Sequence, residues 1–360
     1  MSRLTRKDEH IITALRLSER PAGPGFNDIT LVHNALPEVS GKDVSLRTEL
    51  FGKWLQAPLA INAITGGGIV PGKINEALAI AARETGLAMA VGSQTVAVDN
   101  PECAESFSIA RKMNPTGLIM ANIGAHVCVE TALKSIEMIS ADALQVHLNV
   151  PQEAVMREGD RDFRGWLSNI SKIVKEVQVP VIVKEVGFGL SWEVAKRLNE
   201  VGVKNFDVGG RGGTNFISIE DLRSRRNQNY LESWGITTPV SLIEIDNSGI
   251  ASTIMATGGI RNGLHAAKAL ALGARAAGIA GICLKVLFEQ KVEGLIRGLE
   301  NLKNDLKKVI LMTGVENPSL LQTVPVVITG RTREWLAERG IDTTVYARRG
   351  MLQKKTVKYI

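Results

Sequence analysis

Cysteine and aromatic residues are scarce in this sequence. Its 360 residues include three cysteines, Cys103, Cys128 and Cys283, and only 4% aromatic residues. The cysteines are far apart and show no CxxC or Cys/His spacing, which argues against a zinc site or a disulfide framework. Glycine is common, at 35 residues. Small and aliphatic residues suit parallel strands under helices better than a β-sandwich.

Long apolar segments are also missing. No uninterrupted apolar run approaches the length of a membrane span, and the N-terminus lacks the apolar segment of a signal peptide. We therefore expect a cytoplasmic protein with no membrane partner. The charge excess is small, with 43 basic against 37 acidic residues. Because no Lys/Arg stripe is interleaved with aromatics, we expect an anionic small-molecule ligand rather than nucleic acid.

From Pro58 onward, short aliphatic strands alternate with amphipathic helices at intervals of roughly 25–30 residues, the pattern of βα units. The predicted strands span residues 58–65, 87–92, 117–124, 143–149, 179–187, 205–210, 252–259 and 276–281. About eight strands, each followed by a helix, predict an α/β fold of the (β/α)₈ TIM-barrel type. An open doubly wound sheet would need fewer strands and a phosphate loop after its first strand.

The predicted barrel core covers residues 58–283 of a single domain. Residues 1–57 form an N-terminal extension that begins with a charged amphipathic helix, Ser2–Leu17. Residues 284–360 form a C-terminal region whose long helix runs from Leu284 to about Leu311. The connection from Thr214 to Ser248 is unusually long and polar, and we expect a loop or short helix that can close over the site. Its basic run Arg223–Arg226 is predicted to be solvated or to face a phosphate.

Glycine-rich loops follow the last three predicted strands. The first of them, NFDVGGRGGTN (205–215), bares backbone amides and adds the Thr214 hydroxyl and the Arg211 cation. Gly258–Gly259 leads directly into a helix, and Ala280–Gly281 follows the eighth strand. A mobile turn would also need glycine. The convergence of three such ends on one side of a barrel favours a phosphate site.

Polar side chains end the other predicted strands. Lys184 lies in an otherwise aliphatic strand, where a buried ammonium needs an anionic partner such as a ligand. His147 and Asn149 share one face of their strand and are followed by Gln152 and Glu153. A strand histidine is also common as a hydrogen-bonded core residue. A single carboxylate beside carboxamides suits a loosely held Mg²⁺ that bridges to substrate phosphate oxygens.

Several motifs run along almost the whole chain and include RKDEH (6–10), AVGSQ (90–94), ALQVHLNVPQE (143–153), VIVKEVGFG (181–189), GGTNF (212–216) and GGIRNGL (258–264). In their order and spacing they together resemble the FMN-dependent type 2 isopentenyl-diphosphate isomerases. The resemblance implies that FMN is held by Ala63, Ile64, Thr65, Ser93, Asn122, Lys184, Thr214, Gly258, Gly259, Ala280 and Gly281. It implies that Arg6, Lys7, Ser93, Gln94 and Gln152 bind the substrate.

The same resemblance implies that His147, Asn149 and Gln152 line the reacting part of the pocket and that Glu153 is the Mg²⁺ ligand. The implied reaction interconverts isopentenyl and dimethylallyl diphosphate in isoprenoid biosynthesis, without net redox. Reduced FMN acts as the acid/base, and NADPH only reduces the flavin. The family also implies a homo-oligomer, a tetramer or an octamer.

Two positions depart from the family pattern, and other readings remain open. Thr95 stands where many members carry arginine, and Arg211 stands where a small residue or lysine is usual.

An FMN-dependent barrel oxidoreductase is the first alternative function. A 2-hydroxy-acid oxidase, however, needs a histidine base in the loop after the sixth strand, and GGRGGTN has none. A non-catalytic phosphate-ligand-binding barrel is the second alternative.

Overall fold

The computed structural model describes residues 3–17, 23, 25–224 and 229–350, and of residues 3–8, 16 and 229 only the backbone. Its strands are β1 (Ile29–Leu31), β2 (Thr48–Leu50), β3 (Lys53–Leu55), β4 (Leu59–Ile61), β5 (Ala88–Ala90), β6 (Ile119–Gly124), β7 (Ala143–Leu148), β8 (Val181–Glu185), β9 (Asn205–Asp207), β10 (Thr253–Thr257), β11 (Ala276–Ile279) and β12 (Val326–Ile328).

The helices surround these strands. They are α1 (Arg3–Arg16), α2 (Ile69–Thr85), α3 (Thr95–Asp99), α4 (Glu105–Met113), α5 (Val129–Met138), α6 (Val150–Val155), α7 (Trp166–Glu176), α8 (Trp192–Glu200), α9 (Phe216–Ser224), α10 (Thr238–Asp246), α11 (Gly263–Ala271), α12 (Gly281–Met312), α13 (Gly330–Glu338) and α14 (Thr344–Ala347). Short 3₁₀ turns lie at Phe26–Asp28, Pro101–Cys103, Asn229–Leu231 and Pro318–Thr323. None of the helices in the described ranges combines the length and apolarity that crossing a bilayer requires.

Strands β4 to β11 are parallel and close into a barrel, with β11 pairing back onto β4. The predicted TIM barrel is therefore confirmed, and each of the eight predicted strands is present. The observed strands are mostly shorter than predicted at their carboxyl ends. There the chain leaves the sheet early, so that polar residues such as Asn62 and Thr65 lie in the loops above the barrel.

Alanines, together with the larger Met120, Ile182 and Met255, fill the inside of the barrel. Ala60, Ala88, Ala90 and Ala276 lie in one buried cluster with Leu50 and Leu55 of the β2–β3 hairpin. The sequence did not predict this hairpin, whose leucines reach the interior alanines. A larger apolar cluster packs the outer faces of the strands against the helices. The barrel is thus a packed core, with its open space left at the carboxyl ends of the strands.

Two segments outside the barrel pack onto it. Strand β1 pairs antiparallel with β12, and the Asp28 carboxylate accepts hydrogen bonds from the backbone N–H (3.0 Å) and hydroxyl (2.8 Å) of Thr332. The predicted long C-terminal helix is confirmed as α12, which begins slightly earlier than expected, at Gly281, and is interrupted at Lys291. The predicted N-terminal helix corresponds to α1, which contacts α2, α9 and α12.

The long connection after β9 contains an additional helix, α9, before α10 takes the usual place of the helix in a βα unit. The prediction for its basic run is wrong at Arg223. This side chain is 9% exposed, because it forms ion pairs with Glu220 of its own helix and with Glu9 and Glu158, which are distant in sequence. Arg225 and Arg226 lie outside the described residues. Closure of this segment over a ligand stays a prediction.

Candidate active site

A cavity of about 580 Å³ opens at the carboxyl ends of the barrel strands. This volume lies within the range of about 300–1,000 Å³ that is usual for small-molecule sites. Loops after all eight strands contribute to its wall. The residues predicted for the site that line it are Ala63, Ile64, Thr65, Ser93, Asn122, His147, Asn149, Gln152, Glu153, Lys184, Thr214, Gly258, Gly259, Ala280 and Gly281.

Three predicted residues are not placed on this wall. The side chain of Gln94 is fully buried, donates to Ser135 O (2.9 Å) and accepts from the backbone N–H of Asn122 (3.0 Å). Since these contacts use both ends of its amide, Gln94 supports the wall behind Asn122 and does not face a substrate, contrary to its predicted role. The side chains of Arg6 and Lys7 lie outside the described part of helix α1.

One end of the cavity is built from backbone. A Cβ on Gly258 would lie 2.0 Å from Gly210 O, and its φ is 106°, so only glycine lets the loops after β9 and β10 approach this closely. At Gly281, a Cβ would meet only the Thr214 hydroxyl, at 3.7 Å. The amino end of the long helix α12 therefore borders open space beside a hydroxyl, which is a favourable place for a phosphate.

Cations border the same end. Arg211 and Arg261 both line the cavity, and an Arg261 guanidinium nitrogen donates to Gly212 O (3.3 Å). The Nε atom of Arg211 is buried without a hydrogen-bond partner. Burial, and secondarily the charge of Arg331, lowers the pKa of Arg211. A bound phosphate would balance the buried charge of Arg211. The end of the cavity formed by Thr214, Gly258, Gly259 and Gly281, here called the backbone cup, therefore fits the phosphate of FMN together with its two arginines.

Lys184 and Glu185, the last two residues of β8, are both buried and both line the cavity. The Lys184 ammonium donates to Glu185 O (2.9 Å), and no carboxylate within the described ranges forms an ion pair with it. The Glu185 carboxylate accepts instead from the backbone N–H groups of Val186 and Phe188. Burial raises the pKa of Glu185 to about 8 despite these bonds. The lysine thus remains available to an anionic ligand.

The polar residues that follow β7 lie on the wall formed by β7 and α6. The Nδ1 atom of His147 lies 2.9 Å from Asn122 Oδ1. Asn149 donates to Glu153 Oε1 (2.8 Å), and the other oxygen of Glu153 accepts from Asp160 N–H (2.9 Å). Within the described ranges, no group of three His, Cys, Asp or Glu residues could hold a metal. Any Mg²⁺ here would need ligand oxygens besides Glu153.

Helix α1 closes one side of the cavity through residues that include His10, Ile11 and Leu15. His10 Nε2 lies 2.7 Å from the Glu220 carboxylate of α9, whose side chain is 1% exposed. Burial opposes ionisation of Glu220, but the contacts with His10 and Arg223 prevail and lower its pKa. Sequence reasoning missed Glu220 because its partner lies 210 positions away. It also missed His126, another residue of the wall.

Comparison with known proteins agrees with this geometry. A family profile described as FMN-dependent dehydrogenase matches residues 102–326. An isopentenyl-diphosphate delta-isomerase of Geobacillus sp. is 50% identical over 351 residues, which covers 96% of this chain and 99% of that protein. One from Moorella thermoacetica is 52% identical over 315 residues, covering 88% and 91%.

Solved structures with similar folds include a putative lactate oxidase from Pediococcus acidilactici, with a TM-score of 0.67 and 16% identity over 91% of this chain and 93% of that chain. A mandelate oxidase variant gives 0.65 and 17%, covering 91% and 98%. At such low identity the likeness shows the fold alone. The profile match and the high identity to full-length relatives identify the family: this chain belongs to the type 2 isopentenyl-diphosphate delta-isomerases, within the FMN-dependent dehydrogenases.

Proposed function

We propose that this chain interconverts isopentenyl and dimethylallyl diphosphate, using FMN and Mg²⁺. The observation that carries the proposal is one cavity with two different polar ends. A backbone cup with two arginines suits the flavin phosphate, and the wall of His147, Asn149, Gln152 and Glu153 suits a smaller substrate whose diphosphate a Mg²⁺ ion would bridge to Glu153. Lys184 lies between strands that lead to both.

The backbone cup and the carboxyl ends of the strands would bind the flavin. Thr214, Gly258, Gly259 and Gly281 would hold the phosphate through a hydroxyl and backbone amides. Lys184 would stabilise negative charge on the bound ring. When bound and reduced, FMN supplies the acid/base chemistry that adds a proton at the terminal alkene carbon and removes one from the carbon nearer the diphosphate. NADPH would serve only to reduce the flavin.

The chain's own side chains would orient the substrate. Gln152 and the His147–Asn149 face border the space that the isoprenoid unit would occupy, and helix α1, with Arg6 and Lys7, would meet the diphosphate and exclude water. Thr95, in place of the usual arginine, leaves a neutral hydroxyl beside Ser93 (3.3 Å). The resemblance to the family also supports a homo-oligomer, a tetramer or an octamer.

Reduced holoprotein tests the proposal directly. The purified protein should be yellow, and after anaerobic reduction with NADPH or dithionite it should convert isopentenyl diphosphate to dimethylallyl diphosphate in the presence of Mg²⁺. Oxidised holoprotein is the matched control and should be inactive. A protein that binds FMN but produces no dimethylallyl diphosphate when reduced would contradict the proposal.

The Mg²⁺ role of Glu153 can be tested separately. Glu153→Gln keeps the bond from Asp160 N–H possible but removes the charge, so the Mg²⁺ concentration for half-maximal activity should rise about tenfold or more. Glu158→Gln is a suitable control, because Glu158 also lines the cavity but pairs with Arg223. Identical Mg²⁺ titrations for wild type and Glu153→Gln would remove Glu153 as the ligand.

A further inference from the structure

A continuous row of hydrogen-bonded side chains crosses the barrel beneath the cavity. It joins Asp207 on β9 to His147 on β7 through Asn62, Gln145 and Asn122. The successive donor–acceptor distances are 2.8, 2.8, 2.9 and 2.9 Å. Gln145 and Asp207 are fully buried, and the two asparagines nearly so. Carboxamides at such positions stay buried only because each is satisfied by its neighbours.

The direction of this row is fixed at its Asp207 end. The Asp207 carboxylate acts only as an acceptor, from Asn62 Nδ2, from the Thr257 hydroxyl and from the backbone N–H of Gly209 (3.2 Å). A second bond fixes Asn62 independently, since its Oδ1 accepts from the backbone N–H of Ala63 (2.9 Å). A backbone N–H can only donate, so the Asn62 amide cannot be turned round.

Each amide then sets the orientation of the next. Because Asn62 presents Oδ1, Gln145 must donate Nε2 to it and present Oε1 to Asn122. Asn122 donates Nδ2 to Gln145 and presents Oδ1 to the ring of His147. A carbonyl oxygen can only accept, so His147 must donate from Nδ1. In the neutral ring the proton is on Nδ1, and Nε2 carries the lone pair.

We infer that Asp207, Asn62 and Gln145 are positioning residues that hold neutral His147 in the Nδ1–H tautomer. In this tautomer the ring accepts through Nε2, on a residue that lines the cavity. It lies beside Gly124, where an added Cβ would come within 3.4 Å of it. Neutral His147 therefore accepts a hydrogen bond or a proton at Nε2. Its importance for catalysis rests on the proposed isomerase function, but the tautomer itself does not.

The row of hydrogen-bonded side chains also leaves Asn122 able to contact a cofactor. One Nδ2 hydrogen and one Oδ1 lone pair of this residue remain beyond the bonds to Gln145 and His147. Asn122 can therefore contact a flavin without releasing the histidine. The sequence-based site contained Asn122 and His147 but not Gln145 or Asp207, which stand lower on their strands.

The tautomer can be measured by ¹⁵N NMR of protein labelled at its five histidines, in the full chain with and without added FMN. A His147→Gln spectrum assigns the signal. At a pH where the ring is neutral, the wild type should show the Nδ1–H form in excess of the other by on the order of tenfold. A wild-type ring with its proton on Nε2 would overturn the inference, whether or not any variant folds.

Variants then test the distant residues. Gln145→Met removes the bond that holds Asn122, so the two tautomers should become comparably populated. Adding Asn122→Asp to that variant supplies an acceptor-only partner and should restore the Nδ1–H form. Asn75→Leu removes an equally buried amide from helix α2, where it donates to Ser106 O, and should leave the tautomer unchanged.

An unchanged tautomer in folded Gln145→Met would show that the row of hydrogen-bonded side chains does not set the tautomer of His147. It would overturn the positioning role of Asp207, Asn62 and Gln145. Isomerase assays do not enter this decision. Loss of the proposed activity with an Nδ1–H ring would therefore count against the proposed function alone.

Discussion

At the scale of single residues, burial distinguishes Lys184 from the other lysines whose side chains the structure describes. The residue is 5% exposed and its ammonium donates to a backbone carbonyl, which satisfies one hydrogen but does not balance the charge. A buried cation of this kind is stabilised when an anion binds beside it. An anion bound beside Lys184 would therefore stabilise the barrel.

Replacement of Lys184 should weaken flavin binding. Lys184→Met removes a charged hydrogen bond of about 1.5–3 kcal/mol, so the Kd for FMN should rise roughly 10–100-fold by fluorescence titration. Lys204→Met provides the control, since Lys204 is exposed, follows helix α8 at the opposite end of the barrel and contacts Asn199. Equal FMN affinity in wild type and Lys184→Met would disprove the role of this lysine.

Glu185 makes the free energy of unfolding fall as pH rises, whereas most carboxylates make it rise. Its pKa is about 8 because of burial, above the unfolded value of about 4.3. The folded state therefore binds more protons, and the contribution of this group is complete below about pH 4 and lost as pH rises through 8. Between pH 5 and 9 the midpoint of thermal unfolding of apoprotein should fall, and in Glu185→Gln it should fall less, by a few degrees.

Glu193→Gln is the control for this profile. Burial opposes ionisation of Glu193, but its contact with Arg339 prevails and lowers its pKa to about 2. Its contribution is thus lost only as pH falls toward 2, and the variant should shift the whole curve between pH 5 and 9 without changing its slope. Parallel curves for wild type and Glu185→Gln would mean that Glu185 does not titrate in this range.

At the scale of elements, the contact between α1 and α9 places the N-terminal helix over the site. Arg223 of α9 pairs with Glu9 of α1 at 3.0 Å and with Glu158 at 2.9 Å, and it also contacts Glu220. Loss of the arginine would leave Glu220, which is almost fully buried, paired with His10. Removal of the arginine from such a cluster is strongly destabilising, because it leaves a buried carboxylate without its cation.

Arg223→Met should loosen helix α1 without unfolding the barrel. The contact between α1 and α9 should lose about 3–5 kcal/mol of stability. We therefore expect faster hydrogen exchange in residues 3–17 and a several-fold higher KM for isopentenyl diphosphate. Arg83→Met is the control, because its ion pair with Glu84 is about half-exposed and contributes little. Unchanged exchange in α1 would show that other contacts hold this helix.

The elements also show what sequence reasoning can reach. The eight βα units were predictable because their alternation is local, as in the aliphatic segment that becomes β8. The β2–β3 hairpin and the β1–β12 pair were missed, since Leu50 and Ile29 are buried by partners distant in sequence. The same reason explains the candidate site. Strand-end residues such as Lys184 were found, whereas Gln145 and Asp207 matter through bonds across the barrel.

At the scale of the whole molecule, the backbone cup joins parts of the chain that are far apart. Thr214 follows β9, Gly258 follows β10 and Gly281 begins α12, and all three line one cavity. A ligand bound there contacts three segments of the closed barrel at once. It binds the folded chain and not the unfolded one, so it should stabilise the entire barrel.

FMN should therefore raise the midpoint of global unfolding more than riboflavin does. At a free FMN concentration of 100 times Kd, the gain is about 2.7 kcal/mol, which should appear as one shifted transition in circular dichroism and in flavin release. Riboflavin lacks the phosphate and should give a smaller shift at the same concentration.

Arg211→Ala should reduce the FMN shift but not the riboflavin shift, because only the phosphate balances the half-buried guanidinium. Arg211→Lys keeps the charge and should fall between. If FMN and riboflavin stabilise the protein equally, the cup does not hold the phosphate, and if flavin leaves before the barrel unfolds, the cup belongs to a part of the chain that opens on its own.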